Sequence, residues 1–206
     1  MTMGDDRPGE VLNITVPRGD KDMDPAGTGT QRISFKRLQF DPTSGTSQGN
    51  PRAPVNGQTH FLDASAIYGS SEERVRLLRT FNGGLLIADP VNGLPRNTGD
   101  AVPMGGPLRN SAAQRFAGDA RANVNPGLLC LHAVFVLEHN YQARRLAEAN
   151  AAWADERLFQ EARKRVMALL QNVVYKEYVP LLLGEGLPEY TGYDPTVDAS
   201  VDIAFA

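Results

Sequence analysis

From Pro126 to Tyr178 the chain keeps a helical rhythm with a single break near Asn150, and this commits it to a helical core. Pro126 suits the first turn of a helix, and Asn125 before it is a good N-cap. The spacing predicts one helix from there to about Asn150. A second is predicted from Asp155, as its N-cap, to about Tyr178, ahead of Pro180. In that second helix Leu158, Ala162, Val166, Leu169, Leu170 and Val173 recur at helical spacing, with Glu156, Glu161, Arg163 and Lys164 elsewhere.

The rest of the chain has a different texture. Residues 1–58 are rich in Pro, Gly, Asp, Thr and Asn and read as extended loop, with two short alternating runs, Val11–Val16 and Ile33–Leu38, as candidate strands. A third helix is predicted to start near Ser71, because Ser70 and Glu73 form a capping-box pattern. Val75, Leu78 and Phe81 give it an apolar face, and Gly83-Gly84 ends it. Residues 84–116 read as loop with turns at Asn92-Gly93 and Gly105-Gly106-Pro107. The fold class is therefore mainly α, with long ordered loops and few short strands.

The 206 residues suffice for one domain with a core, and 41% apolar and 22% charged residues are ordinary for a globular protein. A net charge of −3, with no Lys/Arg cluster, gives no basis for nucleic-acid binding. No run approaches the roughly 18 apolar residues of a membrane span. Cys130 is the single cysteine, so no intramolecular disulfide forms, and its setting in Leu128–Leu131 reads as a buried apolar position.

Two motifs carry chemistry. Thr59-His60-Phe61-Leu62-Asp63-Ala64-Ser65 offers oxygen ligands at alternate residues. In an extended run these share one face, so Thr59, Asp63 and Ser65, with the Phe61 carbonyl, suit a hard cation such as Ca²⁺. The plainer alternative is a half-buried strand entering a turn. The second motif, Ala117-Gly118-Asp119-Ala120-Arg121, sets an arginine two residues after an aspartate at the mouth of the long helical region. Taken alone, Arg121 reads as an ion-pair partner of Asp119.

Together with Glu138-His139-Asn140, these motifs resemble the middle of the animal-type haem peroxidase superfamily, which holds the mammalian peroxidases and the fatty-acid oxygenases. The resemblance runs over nearly all of residues 10–206. It implies a partial haem-peroxidase-like helical domain over 1–206: a loop-rich segment to residue 58, a calcium loop at 59–70 and a mainly helical remainder. It implies haem b with its iron, and calcium held by Thr59, Phe61, Asp63 and Ser65. Arg121 becomes the catalytic and haem-facing arginine, which stabilises charge as the O–O bond of hydrogen peroxide breaks while a small electron donor is oxidised.

Where many relatives carry a glutamate that forms an ester to a haem methyl, this chain has Val124, so attachment through that glutamate is excluded. The cysteine pairs of the mammalian enzymes are absent, which suggests a bacterial-type member. The family's distal histidine motif is expected upstream of Met1 and its proximal one downstream of Ala206, so the chain is expected to be catalytically incomplete by itself. His60, His132 and His139 are the histidines present. His132 and His139 lie seven residues apart on one predicted helix, ~10.5 Å along its axis and too far to share a metal, and both read as buried, hydrogen-bonded residues. The alternatives are a fatty-acid dioxygenase of the same superfamily and a non-catalytic calcium-binding remnant.

Overall fold

The computed structural model describes residues 11–35, 37, 39–55, 59–97, 104–105 and 113–198. Lys36 and Leu38 of the second candidate strand, Gly106-Pro107 of one predicted turn and residues 199–206 lie outside them. The chain divides into two compact units, Met1–Gly57 with Asp202–Ala206, and Gln58–Val201.

The first unit is built on turns. Strands β1 (Ile14–Thr15) and β2 (Arg32–Ile33) pair antiparallel, with Ile14 opposite Ile33. Both strands fall within or beside the alternating runs but are shorter, because the ribbon is exposed on both faces and gains little by extension. The hairpin between them winds around the buried Asp24. Its carboxylate accepts hydrogen bonds from the Thr28 hydroxyl (2.7 Å) and from the amides of Gly19, Thr28 and Gly29. Donors on both oxygens favour the ionised form and hold the Asp24 carboxyl down to about 2.

The second unit carries the helices: α1 (Ser65–Tyr68), α2 (Glu72–Leu78), α3 (Pro126–Ala149) and α4 (Asp155–Val173), continued by a π-helical segment (Val174–Tyr178) and α5 (Val179–Leu183). Asn125 caps α3 as expected, its side chain accepting from the Leu128 amide at 2.8 Å. Helix α4 folds back along α3. Their core contains Tyr68, Leu78, Leu86, Val136, Phe159 and Val166, with Ala143, Leu146, Leu158 and Ala162 forming a second cluster. Among the described residues no helix is long and apolar enough to cross a membrane.

Four local expectations are corrected. Ser71, not Ser70, caps α2, accepting from the Arg74 amide, so the third residue after the cap is Arg74 and the capping box is not formed. Helix α2 ends at Leu78 instead of reaching Phe81, because Arg79 turns extended and pairs with Leu86. There the Arg79 guanidinium sits over the Phe159 ring, 4.0 Å from its centroid, and bridges Asp155 (2.7 Å) and Glu156. Asp155 starts α4 but does not cap it. Its oxygens are taken by Arg79 and by the Gly84 amide. Finally, Pro180 does not end the helical run. The backbone widens to π geometry before it, which relieves the clash of the ring with the preceding turn, and the helix closes only at Gly184 in the left-handed region.

Cys130 is also corrected, since it is exposed. The buried face of α3 is set by His132, Val136, His139, Asn140, Ala143 and Leu146, and a residue two positions before His132 points the opposite way.

Candidate functional site

The two chemical motifs meet. Ala64 adopts a left-handed conformation (φ 56°) and turns the 59–63 segment into the short helix α1. The 117–121 loop lies on that helix. The Asp119 amide donates to Ala66 O at 3.0 Å, and Gly118 packs so closely that a Cβ there would lie 2.5 Å from the carbonyl carbon and oxygen of Ile67. Arg74 of α2 locks the other side, donating to Ala117 O from Nε (3.2 Å) and Nη2 (3.1 Å).

On this base Asp119 holds Arg121 through three donors. Oδ1 accepts from the Arg121 amide at 2.7 Å and from Nε at 3.1 Å, and Oδ2 accepts from Nη2 at 2.7 Å. The Asp119 side chain is 10% exposed and the Arg121 side chain 43%. Burial pushes the Asp119 carboxyl up. The Arg121 hydrogen bonds, with the nearby charges of Arg121 and His132, outweigh it and leave the carboxyl below its usual range. Arg121 is correspondingly held charged, chiefly by its bond to Asp119. Its Nη1 has no protein partner among the described residues.

The 59–65 segment is not the extended run expected of it. It bends at Phe61 and at Asp63 before entering α1, so alternation does not set its side-chain directions. The Thr59 hydroxyl accepts from the Phe61 amide at 3.1 Å, and Asp63 Oδ1 accepts from the Ser65 amide at 2.9 Å. Asp63 Oδ2, Ser65 Oγ and the Phe61 carbonyl have no protein partner among the described residues, and the Phe61 ring is 63% exposed beside His60. Free oxygens of carboxylate, hydroxyl and carbonyl type fit a hard cation. No group of three or more His, Cys, Asp or Glu suited to a metal occurs among the described residues.

The histidines take different roles. His139 is fully enclosed: Nε2 donates to Gly84 O at 2.9 Å and Nδ1 accepts from the Tyr68 hydroxyl at 2.8 Å. Next to it, Asn140 grips Leu86 by both amide (2.8 Å) and carbonyl (3.0 Å). His139-Asn140 is thus a clamp that pins residues 84–86 to α3, with no nitrogen left for a metal. His132 Nδ1 bonds Leu128 O at 2.8 Å, while Nε2 is buried with no protein partner. No local pattern signals the contact between Ala66 and Asp119, which joins the two motifs across more than fifty residues of chain.

With this geometry in place, family comparison defines the class. The chain belongs to the animal haem peroxidase family, whose model matches residues 3–206. Human dual oxidase 1 is 41% identical over 204 residues, which is 96% of this chain and 13% of that protein. Dual oxidase 1 of Caenorhabditis elegans is 35% identical over 207 residues, 96% of this chain and 14% of that protein. The chain therefore spans only a small part of the curated relatives it matches. Among solved structures, peroxidase A from Dictyostelium discoideum superposes on 100% of this chain with a TM-score of 0.83, at 30% identity and over 42% of its own length. The fatty acid alpha-dioxygenase of Oryza sativa covers 85% of this chain and 26% of its own, at 27% identity and a TM-score of 0.62. The mainly helical architecture with few short strands is that of this peroxidase fold.

Proposed function

We propose that this chain provides the arginine-bearing and calcium-loop part of a haem-dependent peroxidase domain that reduces hydrogen peroxide and oxidises a small donor. The observation that carries this reading is Arg121: a part-exposed cation fixed by three hydrogen bonds to a mostly buried aspartate, with Nη1 unpartnered among the described residues. Haem b, when bound, supplies the iron at which peroxide is reduced. Arg121 Nη1 would donate to peroxide oxygens and hold the negative charge that develops as their bond breaks. Asp119 fixes the guanidinium plane, so no reorientation is needed at that moment. Thr59, Phe61, Asp63 and Ser65 would hold calcium, and α1 transmits the loop's position to the arginine through the bond from Asp119 to Ala66.

The similarity to a fatty acid alpha-dioxygenase supports a second reading, in which the same scaffold serves an apolar substrate. Coverage and TM-score favour the peroxidase. The test is alanine at the arginine that aligns with Arg121 in a complete family member, followed by rapid-mixing measurement of peroxide consumption. The expected slowing is about tenfold or more; an unchanged rate would overturn the assignment of Arg121.

A further inference from the structure

We propose that Gln171 of α4 is a positioning residue for the calcium loop: its side-chain amide holds the Leu62 carbonyl and thereby orients the peptide that leads into Asp63. This rests on the reading of Thr59, Phe61, Asp63 and Ser65 as calcium ligands, and adds to it a residue that never touches the ion.

The hydrogen bonds that the 59–65 segment makes within itself are local. The Thr59 hydroxyl accepts from the Phe61 amide, and Asp63 Oδ1 accepts from the Ser65 amide, each two residues on. Each bond closes a turn, and neither fixes where that turn sits on the fold. Gln171 does. Its Nε2 donates to Leu62 O at 2.9 Å, across 109 residues of sequence. Among the described residues this is the hydrogen bond that ties 59–63 to another element.

Helix α4 is a firm support for that bond. Its residues Phe159, Ala162 and Val166 are fully buried, and Arg79 bridges Asp155 and Glu156 in its first turn. Gln171 lies in its last turn. A peptide unit is planar, so holding Leu62 O orients the whole unit between Leu62 and Asp63. The Asp63 side chain springs from one end of that unit, and the peptide that bears the Phe61 carbonyl joins its other end. Calcium takes several oxygens at once. A loop whose ligand-bearing peptides are already oriented loses less freedom when the ion arrives, and binds it more tightly. The bond is exposed and contributes little to the fold itself, so its effect falls on the ion.

The test is calorimetric titration of calcium into the full chain, with no haem or peroxide present, alongside melting of the calcium-free protein. Gln171→Met keeps the length and helix propensity of the side chain and removes the donor. It should weaken calcium binding by about three- to tenfold, the worth of one ordinary hydrogen bond, and leave the calcium-free melting temperature close to wild type. Gln160→Met is the control. Gln160 is exposed on the same helix and donates to Glu156 Oε1, away from the loop, and its loss should leave calcium affinity unchanged. Equal calcium affinity in wild type and Gln171→Met overturns the proposal, and so does an equal loss in Gln160→Met. A wild type that takes up no calcium overturns the ligand set itself and this proposal with it, so the two failures are told apart by the wild-type titration.

Discussion

Tyr68 and His139 are joined by a 2.8 Å hydrogen bond across 71 residues of sequence, at the centre of the helical unit. His139 Nε2 already donates to Gly84 O, so the phenol is the donor and Nδ1 the acceptor. Phe159 closes the cluster, its ring centroid 5.9 Å from that of Tyr68 and 5.2 Å from that of His139. Tyr68→Phe keeps the packing but strands Nδ1 in a dry site. The expected loss is about 1–3 kcal/mol, read as a lowered midpoint in urea unfolding. An unchanged midpoint would mean that the bond contributes nothing net.

The same enclosure sets a pH dependence. Burial, with the nearby Arg79 and Arg163 charges, pushes His139 down from 6.5 to about 4, outweighing the bond to Gly84 O. Above pH 6.5 the folded and unfolded states are both neutral here, and the group has no effect. Below it the unfolded chain takes up a proton that the folded chain refuses, so stability falls until the pH reaches about 4. The whole effect is on the order of 3 kcal/mol. Following the His139 ring carbon by NMR checks the origin: a midpoint near 6.5 in the folded chain would refute it.

Gly118 predicts a contrast between two glycines. A Cβ at Gly118 would meet Ile67 C and O at 2.5 Å and Gly69 N at 2.6 Å, all backbone atoms that cannot step aside. Gly118→Ala should cost about 3 kcal/mol or more, the upper part of the range for overpacking, and should displace Asp119 from Ala66. Gly127, near the start of α3, has only the Asn125 side-chain oxygen at 3.4 Å. Gly127→Ala should stabilise by about 0.5–1 kcal/mol through helix propensity. Denaturant unfolding of both variants tests the pair, and equal effects would show that the 117–121 loop does not press on α1.

What the sequence revealed was local chemistry. The Asn125 cap and Pro126 start of α3 need only neighbouring residues, and so does the pairing of Arg121 with Asp119, two positions away. What it hid depended on distant partners. Asp155 looks like a cap but is recruited by Arg79 and Gly84, and Arg79 leaves α2 early to reach it. Phe159, fully buried, falls outside the apolar set read from α4 because its surroundings are Tyr68, His139 and Arg79 from elsewhere in the chain. His139-Asn140 was legible as a buried motif, but its grip on residues 84–86 was not. The bends at Phe61 and Asp63 were hidden because alternation assumes an extended backbone, and Ala64 in the left-handed region ends it.

The calcium loop yields a test that separates charge from local structure. Asp63 Oδ1 is occupied by the Ser65 amide, while Oδ2 is free. Asp63→Asn keeps an acceptor for that amide and removes the negative charge that a divalent cation requires. Without calcium the variant should unfold close to the wild type, because the turn survives. With calcium at about a hundred times its dissociation constant the wild type should gain about 2.7 kcal/mol, and Asp63→Asn should gain little. Magnesium should not substitute, since it demands near-octahedral geometry and sheds its waters reluctantly. A wild-type melting temperature indifferent to calcium would remove Thr59, Phe61, Asp63 and Ser65 from the ligand set. The 59–65 segment would then be a turn that positions α1 beneath Asp119, and Arg121 would be placed by protein contacts: Asp119 on Ala66, Gly118 against Ile67 and Arg74 on Ala117.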